Sequence, residues 1–265
     1  MKRAICLFTA LIVQAAVLNA QNLSLSTVVI DPGHGGHDAG AVSKDKKTYE
    51  KNLVLDISKR LSEKIKAKYP DVKVILTRST DVYVELGERA RIANRANADL
   101  FISVHINASA KTAPNGYSVH LLGQSSKPDR DLFAYNMDVC RRENEVIRLE
   151  DDYSTKYEEY DPDDPESMIF LMLMQNAYLE QSLIFAQTVQ SHLKGGPIRA
   201  DRGIWQDPFL VLWKTSMPAA LVELGFISNP DDLNILRQSD QRDKIADSLL
   251  AAFSEYKKQY EASIN

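Results

Sequence analysis

Apolar positions recur along this chain with two different periods, and the alternation between them outlines the fold. Thr27-Val28-Val29-Ile30 is a short β-branched run closed by Asp31-Pro32-Gly33, which predicts a buried strand opening into a loop. From Glu50 onward, Leu53, Val54, Ile57, Leu61 and Ile65 fall at helical spacing until Pro70, the pattern of an amphipathic helix. Val72 to Leu76 reads as the next strand, Leu86 to Asn97 as a helix, and Leu100 to Ile106 as a third strand. Tyr117 to Leu122 is expected to add an edge strand. Val211 to Trp213 and Ala219 to Leu224 read as late strands, and Ser239 to Tyr260 as a closing helix with Ile245, Leu249 and Phe253 in register. Strands alternating with helices at these lengths predict an α/β domain, a mostly parallel sheet covered on both faces.

One stretch breaks the rhythm. From about residue 124 to 194, Glu150-Asp151-Asp152, Glu158-Glu159 and Asp161-Pro162-Asp163-Asp164-Pro165 interrupt two helical segments, so the stretch reads as an insertion. Its second helix, Glu166 to Leu193, opens on a Met/Leu-rich run, Met168 to Met174. At the amino end, Lys2 and Arg3 precede an apolar run from Ala4 to Leu18 that closes in small and polar residues. That is the outline of a secretory signal over residues 1–20, too short to span a bilayer, leaving a single domain over 21–265 and no stable membrane insertion after cleavage.

Composition narrows the partners. With 32 basic against 36 acidic residues the formal charge is −4, and no basic block is interleaved with aromatics, which argues against nucleic acid. Of two cysteines, Cys6 falls in the signal, leaving Cys140 without an intramolecular disulfide partner.

The candidate chemistry gathers at one edge of the expected sheet. His34 follows the first strand and His105 ends the third, both at carboxyl ends, where open parallel sheets bind ligands. Glu50, first residue of its helix, returns to the same edge. Two imidazoles and a carboxylate suit zinc, with a fourth position left for water. Glu223, set between apolar residues of a late strand, is costly to bury without a task; moving a proton beside the metal is one, and pairing with Arg202 is another. His37 competes with His34 as a ligand, whereas His120 and His192 read as ordinary. Asn107 and Arg202 are candidate substrate or supporting groups, or turn and salt-bridge residues.

These residues sit in blocks that resemble a family. Val29-Ile30-Asp31-Pro32-Gly33-His34-Gly35-Gly36-His37-Asp38-Ala39-Gly40 is similar to the opening motif of zinc-dependent N-acetylmuramoyl-L-alanine amidases, the Amidase_3 group. Leu76-Thr77-Arg78, Arg89 to Asn94 and Ala98 to Ala108 resemble its central block, and Ser216 to Asn229 its closing block. The resemblance implies a six-stranded, mainly parallel sheet flanked by helices. It also implies His34, Glu50 and His105 as zinc ligands and Glu223 as the catalytic glutamate. Division amidases of this type carry an inserted regulatory helix withdrawn by a LytM-domain activator, which makes Glu166 the autoinhibitory candidate.

The expected function is therefore an exported, periplasmic hydrolase of peptidoglycan, active in cell-wall remodelling and daughter-cell separation. It would cut the amide between the lactyl group of N-acetylmuramic acid and L-alanine. The alternatives are a zinc carboxypeptidase-like peptidase of the same polymer and a non-catalytic wall-binding protein.

Overall fold

A computed structural model of the chain describes residues 24–123, 139–157 and 165–263, with the side chains of residue 154 and residues 165–177 outside the description. The expected signal, residues 1–20, lies outside the described residues. Strands β1 (Thr27–Pro32), β2 (Lys73–Leu76), β3 (Leu100–Asn107), β4 (Tyr117–Leu122), β5 (Asp201–Asp207) and β6 (Ala219–Phe226) form one sheet in the order β2-β1-β3-β6-β4-β5. Every pairing is parallel except β4 against β6. Helices α1 (Glu50–Lys68) and α2 (Leu86–Arg95) follow β1 and β2, as the periodicity predicts. Residues 139–144 form α3, followed by a 3-10 turn at Glu145–Leu149, α4 (Tyr153–Lys156) and the long α5 (Pro165–Leu193). The chain ends through α6 (Leu210–Trp213), α7 (Pro230–Arg237) and α8 (Ser239–Ala262).

Strand periodicity of two sends alternate residues to opposite faces, and the two faces differ. One presents Val28, Ile30, Leu100, Ile102, Val104, Val119, Leu121, Ala220 and Val222, all buried in an apolar core with α1, α5 and α8. The other carries Val29, Phe101, Ala219 and Leu221 under α2, α6 and the segment 139–157. On that second face the same strands also bury Asp31, Ser103, His105, Ser118, His120 and Glu223.

Three expectations change. Tyr117–Leu122 is an interior strand between β6 and β5, not an edge. Its Ser118 and His120 mimic edge polarity because they face the polar side of the sheet. The edge on this side of the sheet is β5, whose one-residue bulge (Tyr117 pairs with Asp201, Val119 with Ile204) breaks the alternation a sequence reading needs. Val211 to Trp213, read as a strand, lies in a short helix, Leu210–Trp213, with all four residues buried. The stretch expected as an insertion, 124–194, also divides. Phe185, Ala186, Val189 and Leu193 of α5 belong to the apolar face's core, whereas residues 139–157 lie over the polar face. No described helix is long and apolar enough to cross a membrane.

Candidate functional site

The site is built at the carboxyl ends of β1, β3 and β6. His34 stands just past β1 in the left-handed region, φ 59°, a conformation that costs a side-chain-bearing residue about 1–3 kcal/mol and persists only where surroundings enforce it. Two arginines enforce it here. Arg89 donates to the carbonyls of Pro32 (2.9 Å) and His34 (2.9 Å) and to Asp31 Oδ1 (2.8 Å), and Arg78 donates to the carbonyls of Pro32 (2.9 Å) and Gly33 (2.7 Å). Asp31 is tied in turn to Thr77 and Ser103. Burial, the largest single influence, opposes its charge, yet Arg89, the Thr77 hydroxyl and His105 together hold the carboxyl below its ordinary range.

Two glycines keep space for the imidazoles. A Cβ on Gly33 would lie 2.4 Å from His105 Cε1, and one on Gly40 would lie 2.6 Å from His34 Cδ2 and 2.8 Å from Glu50 Oε2. Neither position admits a side chain without displacing the ring beside it.

His34 Nδ1 faces Asp38 Oδ2 at 2.8 Å, which places the proton on Nδ1 and turns the Nε2 lone pair inward. Glu50, fully buried, is pinned through both oxygens: Ile106 N–H donates to Oε1 and Ala41 N–H to Oε2, each at 2.8 Å. His34 Nε2 and His105 Nδ1 each lie 3.2 Å from Glu50 Oε1. The imidazoles meet edge to face, centroids 4.9 Å apart.

A fourth group joins them that the sequence reading did not name. Glu143, the second-last residue of α3, brings Oε2 to 3.0 Å from His34 Nε2 and 3.1 Å from His105 Nδ1. Arg142 donates to its other oxygen at 2.9 Å and to the Ala108 carbonyl at 2.9 Å. No local pattern singles Glu143 out among the acids of the segment, since its partners lie far away in sequence.

The ligand atoms of His34, Glu50, His105 and Glu143 all fall within 4.8 Å of one another. A zinc tetrahedron with bonds of about 2.0–2.1 Å has edges of roughly 3.3 Å, close to the nitrogen–oxygen separations here. Three of the buried atoms aimed at the centre, His34 Nε2, His105 Nδ1 and Glu143 Oε2, have no hydrogen-bond partner among the described residues. Two carboxylates against two imidazoles call for positive charge at the centre, which either protons or one dication supply. Accordingly burial resists charge on His105 while Glu143 and Glu50 carry its pKa up to about 9, and burial resists charge on Glu50 while His34 pulls its pKa down to about 2. The cluster is able to hold a metal ion.

Glu223 lies beside it, paired in register with His105 across β3 and β6. Both its oxygens are buried without a hydrogen-bond partner among the described residues. Burial pushes this carboxyl up to about 8, with Glu143 adding to the rise and His105 opposing it.

Residues 28–255 match the family model Amidase_3, described as N-acetylmuramoyl-L-alanine amidase. The chain belongs to that family. Among curated amidases it is 31% identical to AmiC of Escherichia coli O6:H1 over 86% of this chain and 52% of AmiC. It is also 31% identical to AmiA of E. coli K12 over 86% of this chain and 75% of AmiA. The chain thus spans about half the length of the first relative and three quarters of the second. Among solved structures, an N-acetylmuramoyl-L-alanine amidase of Clostridium difficile 630 superposes with a TM-score of 0.65 at 28% identity, covering 88% of this chain and 97% of that one. The six-stranded α/β architecture is the one these amidases share.

The other candidate residues of this amidase-family chain scatter. His37 stacks on Tyr83 at 4.1 Å, outside the cluster, and His192 pairs with Glu255 on the far side. Arg202 lies over the Phe226 ring at 5.3 Å, and Asn107 Oδ1 faces Arg142 at 3.3 Å. Glu166 stands in the first turn of α5, and its side chain lies outside the described residues.

Proposed function

We propose that the chain is a zinc-dependent N-acetylmuramoyl-L-alanine amidase, hydrolysing the amide between the lactyl group of N-acetylmuramic acid and L-alanine in peptidoglycan. The observation that carries this reading is the convergence of orphaned donor atoms on His34 and His105 with the pinned carboxylate of Glu50, one strand from an unpaired buried Glu223. His34, Glu50 and His105 would hold zinc, which when bound would supply Lewis acidity for amide hydrolysis. Asp38 fixes the tautomer that His34 needs as a ligand, and the Ile106 and Ala41 amides keep Glu50 from swinging away. Glu223 takes a proton from the attacking water and returns it to the leaving nitrogen, a role that suits a carboxyl titrating near neutrality. The carbon–nitrogen bond breaks, leaving a lactyl carboxylate on the glycan and a free L-alanine amino terminus on the peptide.

The chain is exported on residues 1–20 to the periplasm, where peptidoglycan is its substrate. The resting site is closed by Glu143, which takes the position a substrate oxygen or water needs. Three contacts at the α2 amino terminus support this reading: Glu150 Oε1 accepts from Leu86 N–H at 2.9 Å, Tyr157 Oη accepts from Gly87 N–H at 3.0 Å, and Tyr157 donates to Glu150 at 2.9 Å. A LytM-domain activator withdraws the segment during daughter-cell separation. Glu166 is the alternative blocking group, and resting rates of Glu143→Gln and Glu166→Gln separate the two.

The decisive test incubates the purified protein, both as wild type and as Glu143→Gln to open the site, with intact peptidoglycan and identifies the products by mass. Free glycan strands with unlinked stem peptides are expected. Truncated stems still joined to muramic acid would make the chain a carboxypeptidase, and binding without any product would make it a wall-binding protein. In parallel, zinc per chain is expected near one in the wild type and well below one in His105→Ala.

A further inference from the structure

The chain as a whole is acidic, with a formal charge of −4, yet two loops that rim the metal-capable cluster are basic. Between β1 and α1, Val42 and Tyr49 pair as an antiparallel bridge and close a hairpin carrying Lys44, Lys46 and Lys47. Between β3 and β4, the loop after Asn107 carries Lys111. All four lysines are exposed, and none of their ammonium groups pairs with a carboxylate among the described residues.

The hairpin is fixed in a way that leaves this charge outward. Its acid, Asp45, is already engaged: Ser43 Oγ donates to Oδ1 at 2.6 Å, and Arg237 of α7 donates to both carboxylate oxygens at 2.7 and 2.6 Å. Arg237 and Asp45 cancel, so the positive charges of Lys44, Lys46 and Lys47 stand uncompensated on neighbouring residues. Lys46 takes the left-handed conformation, φ 57°, and its N–H donates to Ser43 O at 2.8 Å, while Arg237 also donates to Thr48 Oγ1 at 2.9 Å. Like charges this close repel one another, and the turn and Arg237 hold them together against that repulsion.

Both loops are tied to one helix. Arg237, which holds the hairpin, is the last residue of α7, and Asn229, which caps α7, donates from Nδ2 to Thr112 O at 2.8 Å in the second loop. At about 1.5 Å per residue α7 is roughly 12 Å long, so the hairpin lysines and Lys111 stand toward the two ends of one strip. The strip flanks the cluster: Tyr49 precedes Glu50, whose Oε2 accepts from Ala41 N–H at 2.8 Å, and the second loop leaves β3 just past His105. An acidic protein meeting an acidic polymer is repelled at long range unless a patch of opposite sign faces it. Val42 and Tyr49, 40% and 36% exposed, add a small apolar footing beside the lysines. That footing suits one sugar face and falls far short of the continuous apolar helix face that seats a protein on a bilayer.

We propose that the hairpin 42–49 and Lys111 form a docking strip for peptidoglycan, binding the free carboxylates of stem peptides beside the one whose amide enters the site. The strip supplies hold and orientation on the polymer and takes no part in the chemistry. The inference rests on the amidase reading for the identity of the polymer.

The test is cosedimentation with purified peptidoglycan sacculi, using Glu223→Gln protein so that the polymer stays uncut. At about 0.1 M salt, where charges act over about 10 Å, replacing Lys44, Lys46, Lys47 and Lys111 together by Gln is expected to weaken binding about 10-fold or more. At about 1 M, where that reach falls to about 3 Å, the difference should vanish. Sacculi whose carboxylates are capped as neutral amides should no longer distinguish the two proteins. Replacing Lys59, Lys66, Lys73 and Lys258 by Gln makes the same charge change at exposed residues away from this edge, and should leave most of the binding in place. An equal loss in that control, or a four-lysine variant that binds intact sacculi as well as its parent at low salt, overturns the proposal. So does binding to vesicles of phosphatidylcholine and phosphatidylglycerol that matches binding to sacculi and is lost with the four lysines, which would make a membrane surface the partner. If the wild-type chain releases no stem peptide, the amidase reading fails; sedimentation needs no turnover and still decides whether the strip holds the polymer.

Discussion

The two faces of this sheet divide labour. The face under α1, α5 and α8 is apolar from Val28 through Val222 and binds nothing but other side chains. The face under α2, α6 and residues 139–157 buries Asp31, Ser103, His105, Ser118, His120 and Glu223 on the same strands, one residue out of phase. Burying polar groups costs free energy unless they are paired, and this face pairs nearly all of them: Asp31 with Arg89, Thr77 and Ser103, and His120 with Asp207 and Ser118. Among the described atoms left without a hydrogen-bond partner, His34 Nε2, His105 Nδ1, Glu143 Oε2 and both Glu223 oxygens cluster at the carboxyl edge, while Asp207 Oδ1 stands apart on this face and Ser58 Oγ and Tyr256 Oη lie on helices. It is the clustering of such atoms around two imidazoles, and not the lack of a partner alone, that marks the chemistry, and the opposite face supplies the stability that lets them remain unpaired.

That division breaks cleanly under substitution. The largest effect is expected at Glu223→Gln, which should lower turnover about 10²- to 10⁴-fold, the usual worth of a general acid–base group, while zinc content and the urea midpoint hold. Arg89→Met should act on both stability and activity. It leaves the buried Asp31 with the Thr77 and Ser103 hydroxyls but no countercharge, a change worth about 3–5 kcal/mol in urea unfolding, and it frees the His34 turn, so metal affinity falls too. Leu61→Ala on the apolar face should cost about 2–5 kcal/mol for the transfer and cavity terms, with kcat per folded molecule unchanged. If Leu61→Ala lowered kcat as far as Arg89→Met, the two faces would not be separable.

The same division explains what could be read in the sequence. Strands and helices of the apolar face carry an uninterrupted hydrophobic period, so β1, α1, β3 and α8 were legible to within a few residues. The carboxyl-edge residues His34, Glu50 and His105 were legible as candidates because each stands at or near the end of such an element, and Glu223 because it interrupts an apolar strand. The polar face hid its own structure. Ser118 and His120 gave interior β4 the look of an edge, and the all-apolar turn Leu210–Trp213 had no period to tell helix from strand. The eight-residue α7, capped by the Asn229 side chain on Asp231 and Asp232 N–H, is too short for a period. Glu143 was illegible because its significance lies wholly in tertiary contacts with His34 and His105.

The smallest predicted effect probes the least secured part of the polar face, the covering segment 139–157. Its hold on α2 runs through few polar contacts: Glu150 on Leu86 N–H, Tyr157 on Gly87 N–H, and the bond from Tyr157 to Glu150. The packing beneath it is thin compared with the apolar core, as expected of an element that opens locally at lower free energy than the whole domain. Tyr157→Phe keeps the ring, removes the hydroxyl, and deprives Gly87 N–H of its acceptor. One such hydrogen bond contributes about 0.5–1.5 kcal/mol net. If opening of this segment exposes the site, the open population, and with it the resting rate of peptide release, should rise about two- to tenfold. Amides of residues 139–157 should exchange faster by a similar factor, while those of α1 and β3 stay unchanged. A Tyr157→Phe protein whose segment exchanges faster but whose resting rate does not rise would separate the segment's opening from access to the site, and so remove Glu143 as the closing group.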